Sequence, residues 1–367
     1  MSRRALREIG KIQAGPFGTQ LHKEEYVEEG IPMLNAKNVG DGVVILDSVD
    51  YVSESVCERL PNYILKEGDI LFGRAGSIER HTYVTKEFEG CFQGTNCIRI
   101  RCNNPEMAAY VSYYLWSPQV KQTITNKTGG SVLSYITTDL LSEIVVDLPD
   151  EKTLKAVSRL LLTLDWKIQN NNRINDNLAQ MTYDTYMHLF FSKLPNGKLG
   201  DIILENNKSS VQVGMAKSAN GKYPFFTSGD AILEWNECMV SGRNCYLNTG
   251  GNAGVKYYVG DAAYSTDTWC ITGKNNTADY LYLTLLSIKP ELNQKFFQGT
   301  GLKHLQKPLL RDRKIYIPCE EELSAFNKSI QPMFDMISAN IRENQRLTKL
   351  RDWLLPMLMN GQATIED

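Results

Sequence analysis

The sequence contains a long amphipathic pattern that occurs twice, at an offset of 169 residues. Its positions are spaced by three and four residues, which is the spacing of the seam between two paired helices. The first copy is Leu154, Val157, Leu161, Leu164, Ile168, Asn171, Asn175, Leu178, Thr182, Thr185 and Leu189, and the second is Leu323, Phe326, Ile330, Met333, Ile337, Asn340, Asn344, Leu347, Arg351, Leu354 and Leu358. Two unrelated surface helices would not place asparagines at matching central positions. The pattern therefore predicts two related long helices.

The duplication extends upstream of each helix. Asp139–Pro149 matches Pro308–Pro318 at the same offset, and Gly73–Gly76 corresponds to Gly251–Gly254 with a small difference in length. We therefore predict a first globule over residues 1–150, a helix over 151–193, a second globule over 194–319, and a helix with a short tail over 320–367.

Within each globule, short runs rich in Val, Ile, Tyr and Phe alternate with Gly, Asn and Asp turns, which is typical of strands. Gly42–Leu46 and Trp269–Thr272 are two such runs, whereas Pro105–Trp116 and Ala278–Ile288 have the composition of helices. The predicted fold class is α+β, mixed within each globule. Two such globules would be separated by two long helices that pair as an antiparallel coiled coil with an internal pseudo-twofold repeat.

Antiparallel pairing places the middle of one seam opposite the middle of the other. Asn171 and Asn175 would then face Asn340 and Asn344. Buried asparagines of this kind fix the register of a helix pair, because a slipped pairing would bury amides against leucine. Parallel pairing would also match asparagine with asparagine, but it needs a long return connection.

Composition excludes several classes of protein. No apolar run approaches the ~20 residues of a membrane span, and residues 1–7 are not followed by the apolar segment of a secretory signal. The eight cysteines contain no C-x-x-C pair and are expected to be reduced core thiols of a cytosolic protein. The four histidines lie far apart, so no metal site is expected.

Charge is nearly balanced but unevenly distributed. The whole chain has a formal net charge of −2, residues 1–150 carry −5 and residues 194–319 carry +4. A free nucleic-acid binder is usually basic overall. Any DNA binding must therefore use local patches or be shared with basic partners.

Motifs of catalysis are missing from the sequence. It contains no Asn/Asp-Pro-Pro-aromatic tetrapeptide of an adenine methyltransferase, no phosphate-binding G-x-x-x-x-G-K-[ST] and no G-x-S-x-G. Pro149-Asp-Glu-Lys152 resembles a nuclease motif only superficially, because acids are expected at a helix start. We expect no catalytic residues and no metal ligands in this chain.

Polar loops carry the residue types that contact DNA. Arg, Asn and Gln read base edges, while Lys, Ser and Thr suit phosphates. The same residues also make ordinary turns, so each loop alone is weak evidence. The candidate DNA-binding residues are Asn35, Lys37, Asn38, Arg74, Ser77, Arg80, Gln93, Thr95, Asn96, Lys127 and Ser131 in the first globule, and Asn248, Asn252, Lys256, Thr266, Lys303 and His304 in the second.

Several segments together resemble the specificity subunit of type I restriction–modification systems. Leu6–Gly10 and Leu199–Ile202 match the openings of its two domains, Gly68–Leu71 leads into Gly73–Gly76, and Leu350–Gly361 matches its ending. The resemblance covers essentially the whole chain. One departure is that Asp150-Glu151 and Cys319-Glu320 replace the Glu-Gln that the family commonly places after the closing proline.

The resemblance implies a non-catalytic subunit with two target-recognition domains that read a bipartite, asymmetric DNA target. The paired helices would set the spacer and dock methyltransferase subunits. It also implies a cytoplasmic assembly on double-stranded DNA with two methyltransferase subunits and with restriction subunits. S-adenosylmethionine, ATP and magnesium would belong to those partners, and none would be bound by this chain.

Two other hypotheses stay open from the sequence. The chain could be a stand-alone methyltransferase or nuclease with an unrecognised active site, or a duplicated scaffold without a nucleic-acid role. The sequence does not identify the target bases.

Overall fold

A computed structural model describes residues 2–76, 78–127, 135–219, 221–299, 301, 303–363 and 365. By packing, the chain forms two compact units, Met1–Trp166 with Leu347–Asp367, and Lys167–Arg346. Each unit contains parts of both long helices, because the division falls within them. The boundaries 1–150, 151–193, 194–319 and 320–367 divide the chain by type of element, and they stay a prediction.

Short elements make up the part of the first unit that precedes residue 150. Its strands are β1 Ser2–Ala5, β2 Gly10–Ala14, β3 Tyr26–Val27, β4 Ile31–Leu34, β5 Asp50–Val52, β6 Ile70–Gly73, β7 His81–Tyr83, β8 Phe92–Gln93, β9 Cys97–Cys102 and β10 Val145–Leu148. Its helices are α1 Leu6–Ile9, α2 Glu54–Arg59, α3 Ala108–Leu115, α4 Pro118–Lys127 and α5 Thr138–Ser142. The long helix α6 follows over Glu151–Phe190.

Two four-stranded sheets form in this unit. One is antiparallel, with the order β2-β9-β6-β7, and the other has the order β3-β5-β4-β8, in which β4 and β8 run parallel. Ala14 pairs with Ile98, and Gly73 pairs with Cys97. The ends of β2 and β6 therefore lie at the same sheet edge as the start of β9.

The second unit is built from a similar set of short elements. Its strands are β11 Gly197–Lys198, β12 Ile203–Glu205, β13 Tyr223–Phe226, β14 Ile232–Trp235, β15 Arg243–Asn248, β16 Val255–Val259, β17 Ala263–Tyr264, β18 Thr268–Gly273, β19 Phe297–Gln298, β20 His304–Leu305 and β21 Lys314–Ile315. Its helices are α7 Leu199–Ile202, α8 Val213–Lys217, α9 Ala278–Ser287, α10 Lys289–Glu291 and α11 Lys307–Arg311, with a π-helical turn at Leu292–Phe296, and the long helix α12 is Glu320–Met359.

The sheets of the second unit repeat the topology of the first. The order β12-β18-β15-β16 matches β2-β9-β6-β7, and the parallel pair of β13 and β17 matches that of β4 and β8. The duplication found in the sequence is therefore a duplication of the fold, and the predicted α+β class is confirmed. Gly42–Leu46 is an exception, because Val43 is exposed and only an isolated bridge between Val39 and Val44 forms there.

The long helices contribute to the core of each unit. In the first unit, Leu154, Val157 and Leu161 of α6 share a core with Leu355 and Leu358 of α12. In the second unit, α6 and α12 contribute the apolar side chains Tyr186, Phe190, Leu323, Phe326, Ile330 and Phe334 to the core.

The heptad pattern drifts at the end of α6. Leu189, which was expected in the seam, is 40% exposed, while Tyr186 and Phe190 are buried in its place. The physical reason is that an α-helix has 3.6 residues per turn, so a strict 3.5-residue repeat rotates away from its partner. Phe190 packs edge-on against Tyr280 and Phe326, which fixes this end of the helix on its own unit.

Asparagines join the two helices within the second unit. Asn171 donates from Nδ2 to Oδ1 of Asn344 at 2.9 Å, and Asn340 donates from Nδ2 to Oδ1 of Asn175 at 2.8 Å. The later residue of α6, Asn175, pairs with the earlier residue of α12, Asn340, so the two helices run antiparallel. Asn171 is 1% exposed and also donates to Glu343. Its amide is thus desolvated and bonded, the state in which an asparagine resists a change of register.

The cysteines are all free, but they are not all in the core. Six are buried, as expected, whereas Cys238 and Cys319 are exposed. The expectation of eight core thiols is therefore wrong for these two. Cys319 immediately precedes α12, where the backbone reaches the surface before the helix begins.

We expect the asparagine pair to show energetic coupling. Asn171→Leu or Asn344→Leu alone leaves the other amide short of a partner, and each should lower the free energy of unfolding by ~1–3 kcal/mol. The double variant should lose less than the sum, because both partners are then apolar. Urea unfolding of the full chain measures this cycle. Additive losses would show that the bond does not couple the helices.

We also expect a pH dependence from His81. This side chain is fully buried against Phe72, and burial lowers its pKa from 6.5 to about 3. Unfolding releases the ring to bind a proton between these values, so the free energy of unfolding falls as the pH falls from 6.5 towards 3. His81→Gln should reduce the slope by ~1.4 kcal/mol per pH unit. Urea unfolding of both proteins at pH 4, 5 and 6 measures it, and equal slopes would contradict the assignment.

Candidate nucleic-acid interface

Loops of the first unit meet at the sheet edge where β2 and β6 end and β9 begins. The Gly15 amide donates to the Cys97 carbonyl at 2.8 Å, and the Arg74 amide donates to the Asn96 carbonyl at 2.9 Å. The Gly94 amide reaches the Leu34 carbonyl at 2.9 Å, which ties in the loop after β4. We call this surface loop face A, formed by residues 15–18, 35–38, 74–76 and 94–96.

Asn35 and Lys37 lie on loop face A beside an acidic partner. Asn35 donates from Nδ2 to Oδ2 of Asp50 at 2.9 Å, and Lys37 Nζ lies 3.0 Å from the same oxygen. A Cβ at Gly94 would come within 2.1 Å of Asn35 Oδ1, so only glycine permits this close approach. Lys37 is exposed and remains available to a phosphate.

Asn38 and Gln93 are occupied inside the fold. Both are 0% exposed; Asn38 donates from Nδ2 to the Ile45 carbonyl at 2.8 Å, and Gln93 donates from Nε2 to the Gln13 carbonyl at 2.9 Å. The sequence suggested DNA contact for these two side chains, but their amides hold the loops behind the surface. Burial could not be read from the residue type, because the same amides suit both tasks.

Arg74, Thr95 and Asn96 lie together on loop face A. Arg74 is half-buried, and its Nε makes no hydrogen bond within the described residues, while Asn96 is exposed. Arg80 is exposed beyond the same loop. Ser77, also a candidate, lies outside the described residues.

The last described candidate of the first unit is Lys127, at the end of α4. Lys127 is exposed and pairs with Glu143 at 3.2 Å, an ion pair of little energetic weight that DNA could replace. Ser131 lies outside the described residues.

Equivalent loops meet in the second unit. The Thr249 amide donates to the Asp267 carbonyl at 3.1 Å, and the Ser265 amide donates to the Phe226 carbonyl at 2.9 Å. The Gly251 amide donates to the Lys303 carbonyl at 2.9 Å, which adds a further loop. We call this surface loop face B, formed by residues 206–211, 227–231, 248–254, 265–268 and 303–304.

Two candidates support loop face B from within. Asn248 donates from Nδ2 to the Asn252 carbonyl at 3.0 Å and closes the hairpin between β15 and β16. Lys256 donates from Nζ to the Thr227 carbonyl at 2.6 Å and also to that of Gly229. Burial lowers the pKa of Lys256, consistent with an ammonium group turned into the protein.

The other candidates of the second unit lie at the surface of loop face B. Asn252, Lys303 and His304 are exposed, and Thr266 is half-buried. Whether any candidate in either unit touches DNA stays a prediction.

Some surface residues were missed by the sequence reasoning. Phe17 and Tyr135 are 63% and 54% exposed, and Tyr135 forms a bridge with Ala75 beside Arg74. On loop face B, Lys208 and Asp267 are exposed. The sequence does not show which loop residues are exposed, so no sequence signal separated these four from their neighbours.

The described part of the chain was compared with the requirements of a metal site, of a membrane span and of the nuclease-like segment. No group of three or more His, Cys, Asp and Glu side chains there could hold a metal ion, and no helix there could cross a membrane. Asp150 caps α6, accepting from the Thr153 amide at 2.9 Å and from its hydroxyl at 2.8 Å. The Pro149–Lys152 segment is thus used as a helix start.

The comparisons identify the family. The sequence matches the model described as "Type I restriction modification DNA specificity domain" over residues 1–180 and 193–351. The chain therefore belongs to this family, and the resemblance drawn from its motifs is confirmed.

Individual relatives agree with this membership. The type I restriction enzyme MjaIX specificity subunit of Methanocaldococcus jannaschii is 19% identical, over 99% of this chain and 93% of that one. The HindI specificity subunit of Haemophilus influenzae is 32% identical over 25% of this chain and 20% of its own. The crystal structure of the type I system S subunit from M. genitalium has the same fold, with a TM-score of 0.66 at 15% identity, over 97% of this chain and 95% of that chain.

Proposed function

We propose that this chain is the sequence-specific DNA-recognition subunit of a type I restriction–modification complex. The observation that carries the proposal is one fold present twice, with equivalent loop faces whose side chains differ. Two different DNA-binding surfaces on one chain suit a bipartite target whose two half-sites differ in sequence. Loop face A reads one half and loop face B reads the other.

Catalysis belongs to the partners in this proposal. Two methyltransferase subunits dock on the paired helices and supply S-adenosylmethionine chemistry, and restriction subunits supply the ATP- and magnesium-dependent steps. The chain's own net charge of −2 gives little electrostatic drive to bind DNA, so basic partners share the phosphate contacts. The assembly works on double-stranded DNA in the cytoplasm.

The lengths of the paired helices set the unread spacer. Each helix has 40 residues, and within the second unit their register is held by the asparagine contacts. Helix length rises by ~1.5 Å per residue, so in this proposal the number of residues in the paired helices determines the preferred spacing between the specified blocks.

Mapping methylated bases in the host, with and without this gene, tests the proposal. Arg74→Ala should relax the specified bases of one half-site only, with a loss of ~1–3 kcal/mol of discrimination if its guanidinium reads a base. Arg7→Ala is the matched control, since Arg7 is exposed and precedes β2 at the opposite sheet edge. Equal relaxation of both half-sites would refute the division between the two faces.

Lengthening the helices should change the spacer alone. We expect four residues inserted within 162–170, together with four within 345–353, to lengthen one paired segment by ~6 Å and the preferred spacer by ~2 base pairs. Substituting alanines at the same places without insertion serves as the control. An unchanged spacer in a folded insertion variant would disprove this role of the helices.

A further inference from the structure

Two tight turns occupy equivalent places on the two loop faces. Gly94–Cys97 connects β8 to β9, and Ser265–Thr268 connects β17 to β18. Each is closed by an amide that donates to the carbonyl three residues earlier, at 3.3 Å from Cys97 to Gly94 and at 3.1 Å from Thr268 to Ser265. Both are four-residue turns that present their two central residues at the surface.

Neighbouring backbone bonds establish the equivalence residue by residue. The amide of the first residue of each turn donates to the last carbonyl of β4 or β13, the strands that pair in parallel with β8 and β17. Gly94 donates to Leu34 and Ser265 donates to Phe226, both at 2.9 Å. The carbonyl of the third residue of each turn accepts a hydrogen bond from an amide in the loop that follows β6 in the first unit and β15 in the second. That donor is Arg74 for Asn96 and Thr249 for Asp267. Asn96 and Asp267 therefore hold the same position in the two folds.

At the position of Asn96 and Asp267, the backbone carbonyl accepts hydrogen bonds, whereas the side chain makes none within the described residues. The Asp267 carbonyl accepts from the Thr249 amide at 3.1 Å, from the Thr249 hydroxyl at 2.9 Å and from the Ser228 hydroxyl. Within the described residues, the side chains of Asn96 and Asp267 make no hydrogen bond and no ion pair, and both residues are exposed. A residue whose backbone is fixed by hydrogen bonds, and whose polar side chain makes none within the described residues, is suited to recognition rather than to support of the turn.

A carboxylate on this surface needs a specific partner in DNA. Phosphates repel a carboxylate, whereas the exposed Lys208 and Lys303 of loop face B attract the backbone of DNA. In the major groove, a carboxylate accepts from the N4 amino group of cytosine, whereas an asparagine amide pairs with both N6 and N7 of adenine. The amide of Asn96 and the carboxylate of Asp267 are therefore predicted to recognise different bases, adenine and cytosine.

We propose that Asn96 and Asp267 are equivalent base-reading residues, Asn96 for an adenine in one half-site and Asp267 for a cytosine in the other. This inference rests on the proposed function of the chain as a DNA-recognition subunit. It assigns one position of each half-site to one side chain.

The test is the map of methylated sites in host cells that carry the full-length gene or its variants. Asp267→Asn should lower discrimination for cytosine at one position of one half-site by about ten- to a hundredfold and favour adenine there. Asn96→Asp should make the opposite change in the other half-site. Asp312→Asn is the matched control, because it removes the same charge at an exposed residue outside loop face B. Asp312 lies between α11 and β21 and pairs with Lys198.

Unchanged specified bases in Asp267→Asn, or the same change in Asp312→Asn, would overturn the inference while leaving the proposed function intact. If Asp267→Asn abolishes methylation, Asn96→Asp decides, since it must gain cytosine at one position or the inference fails. Failure of the proposed function looks different, because deleting the gene would then leave the methylated sites of the wild-type host unchanged.

Discussion

The contact between Asn171 and Asn344 is the constraint on which the helix pairing depends. Asn171 is buried, and its amide hydrogens are directed to Asn344 and Glu343 on the other helix. A shift of one heptad would place Ile337 or Arg351 opposite Asn171 instead of Asn344, and the buried amide would lose its asparagine partner. The polar contact lowers stability relative to leucine, but it makes one alignment of two similar seams distinct from all others.

The two halves of the chain share backbone hydrogen bonds at their loops but differ in the exposed side chains of those loops. Equivalent backbone bonds recur at the turns of Gly94–Cys97 and Ser265–Thr268, whereas the exposed side chains beside them differ. Main-chain bonds need no particular side chain, so the loops can diverge while the sheet edge keeps its shape. Each unit pairs a different buried carboxylate with a partly exposed arginine, Asp69 with Arg101 in the first unit and Asp279 with Arg243 in the second.

Sequence reasoning predicted what periodicity encodes and was less successful with what burial decides. The helix pair followed from the spacing of the seam positions, and its antiparallel direction followed from the long return connection that parallel pairing would need. Asn38 and Gln93 could not be separated from Asn96, because an amide suits a buried turn as well as a base edge. Asp267 was identified only because its backbone hydrogen bonds make it equivalent to Asn96 in the other copy of the fold. Leu189 is exposed because an α-helix has 3.6 residues per turn, so positions that follow a strict 3.5-residue repeat gradually rotate away from the partner helix.

The composition of the first unit has a consequence for synthesis on the ribosome. Its core includes Leu355 and Leu358, which are made about 190 residues after Trp166, whereas the second unit is one continuous stretch. At ~5–20 residues per second, the nascent amino-terminal part waits roughly 10–40 s for the segment that completes it. The part of the chain that is translated first is therefore the part whose core is finished last.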